Sequence, residues 1–325
     1  MSHMSNPLAT PDQLFQRRSI DALPIELQDA IFFATQCLTQ AAGILLQLPQ
    51  SVTAQANVLL ARYWLVEPMM SHEFSDVSAA TIYLTAKLSA HPRSPRDLAN
   101  VYAYLLSRST AFFHNPKNPP PPPPNDPSSY YLSEAAYHAF RNRVLALEAR
   151  VLCALAFDTH VALPHPLAVT YLQALEFLGV PKDRIAKKAV AYLNAALLSP
   201  QMLYLTSQPN ALAVAAVYNA ARDIGAKMPE CEWWEVFDVE REELGFLVVG
   251  MRSVDGWGRK MRADLKGMMR GAERGMVTRR DVEDELRRRG VEVVVVRAAS
   301  GNEVDAEEEA ARRMDEKMAS LEAGG

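Results

Sequence analysis

Histidine and cysteine are the side chains best suited to hold a metal or to act as nucleophiles, and this chain carries seven and three of them. Cys37, Cys153 and Cys231 lie far apart and form no C-x-x-C pair, so they read as reduced, buried thiols of an intracellular protein. His160 and His165 flank a proline-bearing connection and read as turn residues. His72, His91, His114 and His138 have no partner at ligand spacing. The chain shows no G-x-G-x-x-G, P-loop, H-E-x-x-H or G-x-S-x-G string, so neither a cofactor, a metal nor a catalytic constellation is expected. Lys87 and Glu148, judged by themselves, are ordinary solvated charges.

With so little covalent chemistry in view, the scaffold carries the argument. A chain of 325 residues with 49% apolar side chains can bury one or two sizeable cores, and about 150 residues per domain suggests two. The net charge of −4 sets up no global basic field, so direct nucleic-acid binding is not expected. No apolar run approaches the roughly 18 residues of a membrane span.

Residues 1–24 read as a polar arm, of which Met1-Ser2-His3-Met4 looks like a cloning remnant. From residue 25 to 257 the pattern is helical nearly throughout, with apolar residues every three or four positions and prolines between segments. The spacing predicts helices over 31–48, 52–66, 75–88, from Ser94 onward, 133–157, 166–178, 182–198, 210–225 and 240–251, with a short piece at 233–237. Ser94-Pro95-Arg96-Asp97 combines a serine N-cap with proline at the first helical position. The stretch 115–129 contains six consecutive prolines at 119–124, which favour an extended polyproline helix and read as a solvent-exposed loop insertion. Ala80-Thr81-Ile82-Tyr83 with Ala86-Lys87 mirrors Ala215-Ala216-Val217-Tyr218 with Ala221-Arg222. Each half therefore reads as a small bundle around its own alanine-rich helix. Residues 258–325 are rich in charge, with Gly267, Gly271 and Gly275 interrupting helical pattern and a β-prone run at 291–296, and read as a mobile or partner-dependent extension.

Two successive bundles of this kind resemble the tandem boxes of the cyclins. The string Leu38-Thr39-Gln40-Ala41-Ala42-Gly43-Ile44-Leu45-Leu46-Gln47-Leu48-Pro49-Gln50 closely resembles the opening of the box in the cyclin L branch of the transcription and splicing class. Ile82-Tyr83-Leu84-Thr85-Ala86-Lys87, Pro92-Arg93 and Arg96-Asp97-Leu98-Ala99-Asn100-Val101 look like the family's third helix, turn and fourth helix. Glu148-Ala149-Arg150-Val151-Leu152 and Leu155-Ala156-Phe157-Asp158 resemble the fifth. Pro164-His165-Pro166 and Tyr171-Leu172-Gln173-Ala174-Leu175-Glu176 look like the start of the second box, and Trp233-Trp234 with Phe237 is similar to the aromatic cluster before its last helix. The resemblance covers about residues 29–257 and implies an all-α fold: a first box at 25–160 with the insertion 115–129, a second at 161–257, and the extension 258–325.

The resemblance also implies a role. A cyclin is not an enzyme; it binds and activates a cyclin-dependent kinase as a heterodimer. The kinase-facing positions carried over are Lys87 and Glu148, which would grip backbone around the kinase αC helix, with Leu84, Leu88, Leu152 and Phe157 as apolar neighbours. The cyclin L branch implies a PITSLRE-type kinase, a nuclear location, and roles in pre-mRNA splicing and RNA polymerase II transcription, with spliceosome-associated proteins as further partners. One departure is Leu88-Ser89-Ala90 where cyclins usually have two acidic residues after the lysine. Cyclins of the K, Q, T, C and H types remain open as relatives. A nucleic-acid-binding factor of the transcription factor IIB type shares the tandem fold, but it should show a basic surface and a zinc ribbon, and this chain has no cysteine pair for one.

Overall fold

Prolines and capping side chains mark the ends of the helices. The computed structural model describes residues 4–20, 23–107, 131–177, 183–268 and 276–291, and among them no strand occurs. An N-terminal helix α1 (Pro11–Ile20) precedes a first bundle of α2 (Ile25–Leu45), α3 (Gln50–Val66), α4 (Phe74–Leu88), α5 (Pro95–Leu106) and α6 (Glu134–Ala154). A second bundle comprises α7 (Pro164–Ala174), α8 (Asp183–Ala196), the short α9 (Leu203–Thr206), α10 (Pro209–Ile224) and α11 (Arg241–Met268), and α12 (Arg279–Arg288) follows. Pro95, Pro164 and Pro209 sit in the first turns of their helices, where a missing N–H removes no bond. Ser94 and Asp97 form a reciprocal capping box on α5, and the Ser133 hydroxyl accepts the Ala136 N–H at the start of α6.

α4 is the central helix of the first bundle, packed by α2, α3, α5 and α6, and α10 is its counterpart, packed by α7, α8, α9 and α11. The alanines explain how one helix accommodates so many neighbours. Ala79, Ala80 and Ala86 of α4 and Ala213, Ala215, Ala216, Ala220 and Ala221 of α10 are wholly buried, and small side chains let helix backbones approach closely. Polar groups inside the first bundle are tied together. The Ser78 hydroxyl on α4 lies 2.6 Å from the Tyr102 hydroxyl on α5 and 2.7 Å from that of Thr39 on α2, which also donates to the Thr35 carbonyl at 2.8 Å. Asp76 near the start of α4 accepts from the Arg143 guanidinium of α6 at 2.9 Å.

Among the described residues several contacts join the bundles, three of them through specific aromatic or polar groups. Phe33 of α2 meets Trp257 of α11 edge-to-face, ring centroids 5.2 Å apart, an arrangement worth about 0.5–1.5 kcal/mol beyond its burial. The Asn194 carbonyl oxygen on α8 accepts from Gln50 at 3.0 Å and lies 3.0 Å from His165 Nε2, so α3, α7 and α8 share one polar knot. Burial holds the His165 pKa below its usual value, which keeps the ring neutral. Buried Asn6 clasps the segment between the bundles: its carboxamide donates to the Ala162 carbonyl and accepts the Ala162 N–H, both at 2.8 Å.

The structure differs from the sequence-based expectation at both ends. The arm contains α1 and the buried clasp residue Asn6. α11 does not stop near residue 251 but continues through Gly256, Gly258 and Gly267 to Met268. At Gly258 the helix lies against α2: a Cβ there would stand 3.4 Å from the Phe33 ring, an ordinary van der Waals contact. Residues 276–291, expected to be mobile or partner-dependent, form a capped helix with a buried face. The proline run 119–124 and residues 292–325 lie outside the described residues.

Candidate functional site

Two of the residues singled out from sequence, Lys87 and Glu148, meet across the first bundle. Lys87 stands in the last turn of α4, where a cation complements the helix dipole. Its Nζ donates to Glu148 Oε1 of α6 at 2.9 Å. The pair is asymmetric: the lysine side chain is 56% exposed and the glutamate only 7%. The hydrogen bond from the ammonium to the Glu148 carboxylate, with their charge attraction, raises the Lys87 pKa. Tyr83, one turn earlier, places its ring 5.8 Å from Nζ. A lysine has three N–H donors and one is spent on Glu148, so the ammonium is held in position with donors to spare.

The apolar residues of the set separate by position. Leu88, the last residue of α4, and Phe157, just beyond α6, are exposed, and Leu152 is half-buried against the core. Leu84 is buried inside the bundle and presents no surface. It supports the last turn of α4 from within.

Phe157 is held outward by the backbone. Among the described residues the same kind of chain reversal closes α10 and α12 on Gly225 and Gly290 and, with a non-glycine residue in the glycine's place, follows α2, α6 and α7. In each of the latter three, three successive N–H groups fold back: Leu46, Gln47 and Leu48 onto Ala42, Ile44 and Gly43; Leu155, Ala156 and Phe157 onto Val151, Cys153 and Leu152; Leu175, Glu176 and Phe177 onto Tyr171, Gln173 and Leu172. This is the Schellman-type closure, in which the residue after the left-handed position usually tucks an apolar side chain against the helix. Gln47, Ala156 and Glu176 take that position at φ 53°, 48° and 58°. Leu48 and Phe177 then turn inward and are buried. Phe157 alone of the three adds a second positive φ, 61°, and is 68% exposed. A bulky residue in the left-handed region is strained by roughly 1–3 kcal/mol, a strain that tends to persist where a site uses it.

Sequence reasoning named Lys87, Glu148, Leu88 and Phe157 but missed that the two charges pair with each other. It also missed the turn that exposes Phe157, although Leu152-x-x-Leu155-x-Phe157 and Leu172-x-x-Leu175-x-Phe177 are visible as a repeated string. Among the described residues no cluster of His, Cys, Asp or Glu is disposed to hold a metal ion.

No family model matches the chain. It is 31% identical over 229 residues to an uncharacterised cyclin-L1-like protein of Schizosaccharomyces pombe, covering 69% of this chain and 84% of that one. It is 32% identical over 208 residues to human Cyclin-L1 and 30% identical over 243 residues to rat Cyclin-L2. The chain spans only 36% and 43% of the length of those two proteins. Among solved structures, a chain in the crystal structure of the yeast RNA polymerase II CTD kinase complex CTDK-1 is similar in fold. The TM-score is 0.61 at 14% identity, over 93% of this chain and 89% of that one. The aligned relatives, the helical architecture and the paired central helices agree, and the chain belongs to the cyclin family, in its cyclin L branch.

Proposed function

We propose that this cyclin binds and activates a cyclin-dependent kinase of the PITSLRE type, as a regulatory subunit without catalysis of its own. It would act in the nucleus on pre-mRNA splicing and RNA polymerase II transcription. The observation that carries the reading is the pairing of Lys87 with Glu148 across α4 and α6, which leaves a held ammonium with spare donors next to the exposed Leu88 that ends α4, while the exposed Phe157 follows α6. An apolar patch around an oriented donor fits the side of a partner helix. The patch covers apolar side chains while the ammonium takes carbonyl groups at a helix end. In this division Glu148 positions Lys87, and Leu84 and Leu152 support the patch from behind.

The mechanism is a population shift. A protein kinase is active when its β3 lysine pairs with the αC glutamate and its metal-binding aspartate is in place. A rigid bundle that binds the αC-in state more tightly moves the kinase toward it. Going from 1:99 to 99:1 takes a differential affinity of about 5.5 kcal/mol, within reach of a helix-on-helix apolar interface. Residues 25–160 and 161–257 serve as the two boxes in this reading, with the kinase on the first. Affinity capture of the tagged chain from its native cells, followed by mass spectrometry, tests it. A stoichiometric PITSLRE-type kinase supports the proposal. A different cyclin-dependent kinase would retain the mechanism and overturn the pathway, and no kinase at all would overturn both.

A further inference from the structure

Phe32 of α2 and Val58 of α3, with Leu197, Met202 and Leu205 of the second bundle, line a cavity of about 10 Å³. That is room for one water molecule and nothing larger. Two more of its lining residues are carboxamides, Gln36 of α2 and Asn57 of α3, which are 1% and 0% exposed. Each has one buried atom without a hydrogen-bond partner in the protein, and in both it is the oxygen, Gln36 Oε1 and Asn57 Oδ1. A buried acceptor without a donor is costly, so two of them at one cavity call for a ligand.

The orientation of both groups follows from what their nitrogens bind. Gln36 Nε2 donates to the Asn57 backbone carbonyl at 3.0 Å, and a carbonyl can only accept, so the nitrogen cannot trade places with Oε1. Asn57 Nδ2 donates to Gln40 Oε1 at 3.2 Å, Gln40 Nε2 to Gln50 Oε1 at 2.7 Å, and Gln50 Nε2 to Asn194 Oδ1 at 3.0 Å. His165 Nε2 lies 3.0 Å from the same Asn194 oxygen. The carboxamides thus form a chain with one direction, from the cavity through α2 and α3 to α8 of the second bundle. From Asn57 to Gln50 each nitrogen is spent on the next carboxamide outward, and the inner end is short of a donor.

We infer that the cavity is a built water site: one buried water donates an O–H to Gln36 Oε1 and the other to Asn57 Oδ1, closing the inner end of a hydrogen-bonded chain that joins the two bundles. The chemistry of the lining selects water over other occupants. No carboxylate is among the lining residues, and two amide oxygens fall short of the six or more that calcium or magnesium takes. An apolar guest would leave both oxygens unpaired. The site stands or falls independently of any kinase partner.

A high-resolution crystal structure of the full chain tests it. The expected result is one ordered water about 2.8 Å from both oxygens. No density there, a water bonded to only one of them, or protein donors taking both oxygens would overturn the site. Thermal unfolding gives a second reading through Ala61, which also lines the cavity. Ala61→Val fills the space with methyl groups and strands both acceptors, whereas Ala61→Ser supplies a hydroxyl donor in the water's place. The valine variant should melt below the serine variant by roughly 2–10 °C. A valine variant that melts level with the serine variant or above it would mark a dry apolar gap, which filling stabilises, and the water site would be wrong.

Discussion

Phe157 and Phe177 occupy the same place in the same chain reversal, and they point in opposite directions, one 68% exposed and the other 5%. The difference lies in one backbone torsion, the second positive φ at Phe157. An exposed phenylalanine at the price of a strained backbone contributes nothing to the fold of the free chain. In the proposed function a partner covers it.

Phe157→Gly separates those two effects. Glycine adopts positive φ without steric cost, so the variant should be as stable as the parent or more stable by up to about 1 kcal/mol. If the ring fills a partner's pocket, its loss should weaken kinase binding by roughly 30-fold, or about 2 kcal/mol. Urea unfolding and binding titration read the two effects. Unweakened binding would remove Phe157 from the interface.

Glu148 is better tested by Gln than by charge reversal, because it is nearly buried and a lysine there would face Lys87 in a desolvated space. Glu148→Gln keeps the shape and removes the charge that fixes the ammonium. The paired lysine is more than half exposed, so thermal stability should change by no more than ~2 °C. Kinase activation should drop about tenfold or more. An unchanged rate would leave the pair as surface decoration.

Glu73 gives a prediction in pH. Burial and then the neighbouring Asp76 push its pKa up from an ordinary 4.5 to about 7, against the opposing pull of the Arg279 and Phe74 N–H groups and the Arg279 charge. An acid with a raised folded pKa binds its proton more tightly when folded, so its contribution favours the fold at low pH and is lost as pH rises from 4.5 through 7. His72, lowered to about 4 by burial and by Arg150 and Arg279, works in the opposite sense over part of that range. The difference between Glu73→Gln and the parent isolates the first group. The variant's relative stability should rise between pH 4.5 and 7 and then level off, by at most on the order of 3 kcal/mol. A flat difference across pH 4.5–8 would show that Glu73 titrates normally.

Asn6→Ala tests the clasp between the bundles. It strands the N–H and C=O of Ala162, each of which has its bond to Asn6 at 2.8 Å. Leaving buried backbone groups unpaired costs ~1–3 kcal/mol, which should lower the melting temperature by a few to about 10 °C. No shift would mean that water replaces the side chain without loss.

The helices of both bundles were legible because local rules mark their ends: proline at 49, 68, 95 and 164, serine caps at 94 and 133, and apolar periodicity between. The central role of α4 and α10 was legible in their alanines. What escaped depends on partners distant in the chain. Asn6 is polar and lies in a polar arm, and its distant partners Ala162, Gln208 and Arg62 make it a buried clasp. Glycines at 256, 258 and 267 argue locally against helix, yet α11 runs through them, held by packing such as Trp257 on Phe33. Leu84 and Leu88 share one face of α4 by period, but Leu88 is the last residue of the helix and lies exposed while Leu84 is covered. Lys87 and Glu148 were named separately through a resemblance; their pairing across α4 and α6 became visible only in three dimensions.

The most direct test of the central claim is kinase activation in a purified system: the full chain is mixed with an inactive PITSLRE-type cyclin-dependent kinase and the rate of phosphate transfer to a substrate peptide is followed. A saturable rise in rate, at least tenfold, with a half-maximal concentration shifted upward by Phe157→Gly, is the predicted result. A kinase that gains no activity at any concentration of the chain, or gains it equally with Phe157→Gly and Glu148→Gln, would contradict the claim.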